Sequence, residues 1–228
     1  MPDHTRIYEH EAHTYQQLIS KQPSLAPIIE ELCPYQGLDI IDLGAGTGRL
    51  TTVLAPEVRS IIALDASVAM LEVTAQRLQK AGLSGWSTIA ADHRKLPLAD
   101  GSADLIVSGW SICYLASSDL QDWRQNLTDV MSEIERVIRP NGTVIILETM
   151  GTGVETPEPP SFLKAYYAAL EEDYGFSHRW IRMDYRFDDA AQTEALTRFF
   201  FGDALADRVA EQQLVQVPEC AGIWWKQF

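Results

Sequence analysis

The chain is poor in cysteine, in basic residues and in long apolar runs, and each shortage removes a class of function. Its three cysteines, Cys33, Cys113 and Cys220, lie far apart and form no C-x-x-C pair. That spacing excludes a disulfide framework and a thiolate zinc cluster, and it suits a reducing compartment. A cytoplasmic location with no bound metal is therefore expected. Lysine and arginine number 18 against 32 aspartates and glutamates, a formal net charge of −14. Such a field repels polyanions, and no basic run offsets it locally, so nucleic acid is not an expected partner. No apolar stretch approaches the roughly 20 residues of a membrane-spanning helix. The opening "MPDHTRIYEHEAHTYQQ" is polar and lacks the apolar segment of a secretory leader, so no membrane association is expected.

What the chain does have is 46% hydrophobic residues, enough in 228 positions to build the core of a single domain. Five apolar runs, at 38–43, 60–64, 86–91, 103–109 and 143–148, read as strands. They are nearly continuous in apolar character, as parallel strands covered on both faces are. Amphipathic segments separate them. The clearest, 119–139, places Leu120, Trp123, Leu127, Val130, Met131, Ile134, Val137 and Ile138 at the helical spacings of three and four. "RPNG" at 139–142 then stops the helix. Strand and helix alternating in this way predict a doubly wound α/β sheet. Two helical patterns precede it, carried by Tyr15, Leu18 and Ile19 and then by Leu25, Ile28, Ile29 and Leu32. A proline- and glycine-rich loop at 151–161 follows the fifth strand. Beyond it the pattern predicts a helix over 162–176, a strand over 179–187, one helical stretch over 189–213 and a last strand at 222–228.

"IIDLGAGTGRL", residues 40–50, sets Gly44, Gly46 and Gly48 at alternate positions after the first strand. Glycine costs about 0.5–1 kcal/mol in a strand or helix interior, so three in succession need a reason. They stand at the carboxyl end of a strand, where open α/β sheets bind ligands. Missing side chains let the backbone approach a ligand, and amides at the following helix start favour an anionic group. Asp65 ends the second strand 21 residues beyond Gly44, the place from which a carboxylate takes hydrogen bonds from ribose hydroxyls. Asp92 ends the third strand, within reach of an adenine amino group. Glycine turn and two acids on three successive strand tips describe a nucleoside laid across the sheet. A dinucleotide fingerprint would require glycine where Arg49 stands, and a triphosphate loop would require Gly-Lys-Ser/Thr, which is absent.

"DLGAGTGRL", "IIALDASVAML", "AADHRKLPLADGSADLIVS" and "VIRPNGTVIILE" resemble, in order and spacing, the four motifs of class I S-adenosylmethionine-dependent methyltransferases. The likeness covers residues 36–148 and is greatest to the small-molecule branch that includes quinone and biotin-pathway methyltransferases. It implies a Rossmann-like, doubly wound, seven-stranded and mostly parallel sheet with helices on both faces. One of the two added strands is antiparallel, and an N-terminal helical cap is expected. The implied layout is one domain over 1–228: a cap or lid at 1–35, a cofactor-binding core at 36–150, and sheet completion with an acceptor-site wall at 151–228. The implied cofactor is S-adenosylmethionine, leaving as S-adenosylhomocysteine. Gly44, Ala45, Gly46 and Gly48 would line its methionine moiety, with Asp42 beneath the amino group. Asp65 and Ala66 would hold the ribose, Asp92 and His93 the adenine, and Met70 would pack on the ring. Gly109 and Trp110 would border the sulfonium, and Tyr15 would close over the cofactor.

Methyl transfer from a sulfonium is an in-line displacement that needs alignment more than a strong acid. A base enters only when the acceptor must lose a proton, and Glu148, His13 or His10 are the candidates. Tyr114, Tyr166 and Trp180 are expected to face the acceptor, a small molecule that an aromatic wall would suit if it is planar or apolar. Trp224 and Trp225, adjacent on a strand, should point to opposite faces and pack in the core. His10 and His13 share a helical face but lack a third ligand for a metal. Two other readings remain at this stage: an S-adenosylmethionine-binding regulatory module without turnover, and a nicotinamide-dependent oxidoreductase. The sequence leaves the acceptor's identity open, and monomer and homodimer equally so.

Overall fold

The computed structural model describes residues 2–228. Strands β1 (Asp39–Leu43), β2 (Ser60–Asp65), β3 (Trp86–Ala90) and β4 (Ala103–Gly109) fall on the first four apolar runs, within one residue at most ends. β5 is longer than expected, Ile138–Thr152. Its early part is irregular, with Asn141 at a φ of 68° and a register shift opposite Ala103. The chain completes the sheet with β6 (Ser177–Arg182) and β9 (Glu219–Gln227), giving the order β3-β2-β1-β4-β5-β9-β6. β1 to β5 pair in parallel, and β9 lies antiparallel between β5 and β6. This is the seven-stranded, mostly parallel Rossmann-like sheet. Strand order reverses between β1 and β4, and the glycine turn leaves β1 at that point.

Alternate residues of each strand feed different cores. Ile41, Leu43, Val144 and Trp224 pack with α7 (Trp123–Val137) and α8 (Lys164–Glu172) on one face. Ile40, Leu105, Ile145 and Ile223 pack with α3 (Ala26–Leu32), α4 (Thr51–Leu54) and α5 (Val68–Lys80) on the other. Trp224 and Trp225 therefore part to opposite faces, Trp224 fully buried. Ser67 caps α5, its side chain accepting from the Met70 amide. That leaves the neighbouring Asp65 carboxylate for other work.

Three segments differ from the periodicity. The strand expected over 179–187 divides: β6 stays in the main sheet, while β7 (Tyr185–Arg186) pairs with β8 (Gln216–Val217) in a separate two-stranded ribbon. Between them Asp184 accepts from Arg182, Gln216 and the Glu219 amide, which turns the chain out of the sheet. The helical stretch over 189–213 breaks into α9 (Ala190–Phe201) and α10 (Asp203–Gln212) at Gly202, whose φ of 90° no helix accommodates. At the front, α1 (His4–His10), capped by Asp3, precedes α2 (Ala12–Ile19) as a helix of its own. α6 (Cys113–Ala116) is a single turn after β4.

Candidate active site

A cavity of about 350 Å³ lies at the carboxyl ends of β1 to β4, beneath α1 and α2. Small-molecule pockets span roughly 300–1,000 Å³, so this volume suits one compact ligand. Its floor is the glycine turn. The Asp65 carboxylate accepts from the Gly46 amide through Oδ2 and from the Ser67 amide through Oδ1, each at 2.8 Å, tying the turn to the start of α5. Burial pushes its pKa up and the two amides oppose that shift. Asp42, beneath the turn, accepts from the Thr51 amide and hydroxyl at 2.9 and 2.5 Å through Oδ2. Its Oδ1 is buried without a partner, and burial raises the carboxyl to about 7.

The glycines play different parts. Gly44 has a φ of 82°, and a Cβ there would stand 1.8 Å from Ser111 Oγ. Gly46, at a φ of 55°, has only the Met70 methyl within reach of a Cβ, at 3.5 Å, with open space above it. Gly48 lies outside the cavity lining; it lets Thr74 and Thr52 approach at 3.0 and 3.2 Å. Its reason is helix packing.

Asp92 and His93 line the cavity at the end of β3. The Asp92 carboxylate is held by the Arg94 guanidinium and amide, which lowers its pKa to about 2. His93 is buried, its Nε2 2.7 Å from Ser111 Oγ and its Nδ1 without a partner. Burial lowers its pKa to about 4, so the ring is neutral at pH 7. Tyr15, Ala45, Ala66, Met70, Gly109, Trp110 and Tyr114 also face this cavity.

Besides Gly48, four expected residues fall elsewhere. Tyr166 is fully buried on α8, in the core on the other side of β5, and offers nothing to a ligand. Its hydroxyl donates to Glu148 Oε1, which also accepts from the Cys113 amide at 3.0 Å. Glu148 is equally buried and lines no cavity, so it is no base in contact with a ligand. Trp180, 43% exposed on the edge strand β6, and exposed His13, which with His10 borders a shallower depression against α5, are also remote. The expected wall at 151–228 contributes no lining residue among those described; Phe200 packs on His4 of the roof, and Leu18 of α2 packs with Tyr185, Leu196 and Val209.

Burial raises Glu148 to about 7, well above the usual glutamate value. A carboxyl whose folded pKa exceeds its unfolded value, near 4.3, favours the fold at low pH. That contribution is lost as pH climbs from about 4.3 through 7. Glu148→Gln, which cannot ionise, is expected to flatten the fall in Tm between pH 5 and 8 by ~2 °C or more, read by scanning calorimetry.

The roof was not legible from periodicity. His4 Nε2 lies 3.1 Å from the Phe200 carbonyl, which only accepts, so Nε2 carries a proton. Nδ1 lies 3.0 Å from the Tyr114 hydroxyl, and the Tyr8 and Tyr114 hydroxyls share a hydrogen bond at 2.6 Å. Burial holds both phenols protonated by raising their pKa. His4 stacks on Phe200 at 4.3 Å, and Tyr8 meets Tyr15 edge-on at 5.3 Å. Removing the central hydroxyl with Tyr114→Phe should cost about 1 kcal/mol. It should raise amide exchange over 4–10 about fivefold while exchange in β1 and β4 stays unchanged. His4 and Tyr8 lie four apart on α1, Phe200 lies in the stretch read as helical over 189–213, and nothing local in the sequence joins the two.

Residues 41–146 match the family model described as a methyltransferase domain. Over that stretch the chain is similar to methyltransferase domains. It is 26% identical over 190 residues to a malonyl-[acyl-carrier protein] O-methyltransferase of Marinomonas, covering 82% of this chain and 64% of that protein. To a demethylmenaquinone methyltransferase of Clavibacter sepedonicus it is 30% identical over 135 residues, 59% of this chain and 49% of the relative. The chain thus spans less than two thirds of the length of either. The solved structure of an S-adenosylmethionine-dependent methyltransferase from Aquifex aeolicus shares the fold. Its TM-score is 0.57 at 15% identity, covering 98% of this chain and 93% of that one.

Proposed function

We propose that this chain transfers a methyl group from S-adenosylmethionine to a small, apolar or aromatic acceptor by in-line displacement. The observation that carries the reading is Asp65: its carboxylate is fixed by two backbone amides at the tip of β2, beside the glycine turn and facing the cavity. The residues fit an adenosyl ligand on two further counts. Asp42 Oδ1 is buried and lacks a partner, as an acceptor for an ammonium group would, and the space above Gly46 is open. When bound, the donor supplies a methyl on a positively charged sulfur, already activated for displacement.

Asp65 then holds the ribose hydroxyls and Ala66 packs beside them. Asp92, His93 and Met70 surround the adenine, while Gly44, Ala45 and Gly46 bed the methionine end. Gly109 and Trp110 border the sulfonium. The phenolic roof of Tyr8, Tyr15 and Tyr114 excludes water and offers flat surface to an acceptor. With Glu148 and His13 outside the cavity, alignment is the main effect, and near-attack positioning supplies about 7–11 kcal/mol. The layout is one functional unit: cap 1–35, core 36–150 and a sheet-completing 151–228. The two relatives are named for unlike acceptors, so the acceptor class rests on the roof's chemistry. Calorimetric titration with S-adenosylhomocysteine and with NADH, followed by labelled donor in a metabolite extract, tests this. Binding of the first ligand alone and label in a small product support the proposal. NADH binding or an absence of labelled product overturns it.

A further inference from the structure

In a chain with a net charge of −14, the cavity holds an arginine that forms no ion pair with a carboxylate among the described residues. Arg49 lines it, stacked on Trp110 with its guanidinium carbon 3.9 Å from the ring centroid. Its Nη2 is buried and has no hydrogen-bond partner. Other arginines near acids are engaged: Arg94 with Asp92, Arg136 with Glu133, Arg139 with Asp39 and Asp104. The groups whose charge Arg49 feels are Tyr185, Tyr15 and Glu219. Burial holds the two phenols protonated. Glu219, raised to about 7 by burial, accepts from the Thr149 hydroxyl at Oε1; its Oε2 is buried without a partner, so it acts on Arg49 through charge at a distance and forms no ion pair with it. A desolvated guanidinium is costly unless an anion answers it, and its fork matches the two oxygens of a carboxylate. Trp110 fixes the plane of that fork; it is itself set by an unusual backbone, with a φ of 51°.

We propose that Arg49 is the carboxylate-binding residue of this cavity. The carboxylate comes either from the amino-acid end of the methyl donor or from the acceptor. The inference rests on the adenosyl reading of the pocket, and binding measurements separate the two. S-adenosylhomocysteine, 5′-methylthioadenosine (the same thioether without its amino-acid end) and hexanoate are titrated into wild type, Arg49→Gln and Arg49→Lys, hexanoate with S-adenosylhomocysteine already bound.

If the donor supplies the group, Arg49→Gln weakens S-adenosylhomocysteine roughly ten- to a hundredfold and leaves 5′-methylthioadenosine within twofold. Arg49→Lys then recovers part of the loss, since it keeps the charge without the fork. If the acceptor supplies it, both adenosyl ligands bind alike in all three proteins and hexanoate binding disappears in Arg49→Gln. Either result supports the assignment. Equal loss of both adenosyl ligands marks a purely structural arginine and overturns it, as does unchanged binding of all three probes. Wild type that binds neither adenosyl ligand refutes the pocket's adenosyl reading instead, and the inference with it.

Discussion

Asp65→Ala is expected to weaken S-adenosylhomocysteine binding by about a hundredfold or more, measured by calorimetry. Two losses combine. The ribose hydroxyls lose a charged acceptor, and the Gly46 and Ser67 amides lose the oxygens that hold them at 2.8 Å. The turn that shapes the cavity floor is then no longer tied to α5. Stability moves less, because the wild-type carboxylate is disfavoured by burial even as the amides hold it. A change of about 1–3 kcal/mol in denaturant unfolding covers the two unpaired amides. Asp65→Asn keeps an oxygen for one amide and should fall between. Affinity near wild type in the alanine variant would remove Asp65 from the ribose.

Gly44→Ala is expected to cost about 2–5 kcal/mol in unfolding free energy. Overpacking contributes about 1–3 kcal/mol and the left-handed backbone about 1–2 kcal/mol. Only 1.8 Å separates the new Cβ from Ser111 Oγ, and that oxygen is fixed by its contact with buried His93. Ser111→Gly in the same chain should restore part of the loss, a coupling that a double-mutant cycle reads directly. Gly46→Val gives the opposite pattern. Its side chain enters open cavity beside Met70, so the protein stays folded, with about 1–2 kcal/mol of backbone strain, and loses adenosyl-ligand binding. A Gly44→Ala protein as stable as wild type, or a Gly46→Val protein that binds normally, would show that the turn is placed differently.

Residues 38–109 were legible in the sequence because their information is local. Apolar runs become strands, glycines become the turn, and acids at strand ends must stand at the sheet's carboxyl edge, since consecutive parallel strands fix that edge. Asp65 and Asp92 follow from that rule alone, while Asp42 and Met70 were implied by the resemblance of the motifs. Glu148 ends the fifth apolar run and still fails as a site residue, because Cys113 and Tyr166 close over it from the far side. Strand position gives the edge, and packing from helices distant in sequence decides which side chains a ligand can reach. Tyr166 and Tyr167 on α8 were aromatic and near the right strand, yet sheet completion by β9 sealed them into the core.

By itself, then, the sequence determined the sheet, its handover from β1 into the glycine turn, and the acids that line the cavity floor. Only the tertiary structure decided the roof, where His4 and Tyr8, Tyr114 and Phe200 meet from three places along the chain. It alone also decided the isolation of Arg49, because an unpaired charge is a property of what fails to come near it. Periodicity records which face of an element is buried. It carries no record of which element covers that face.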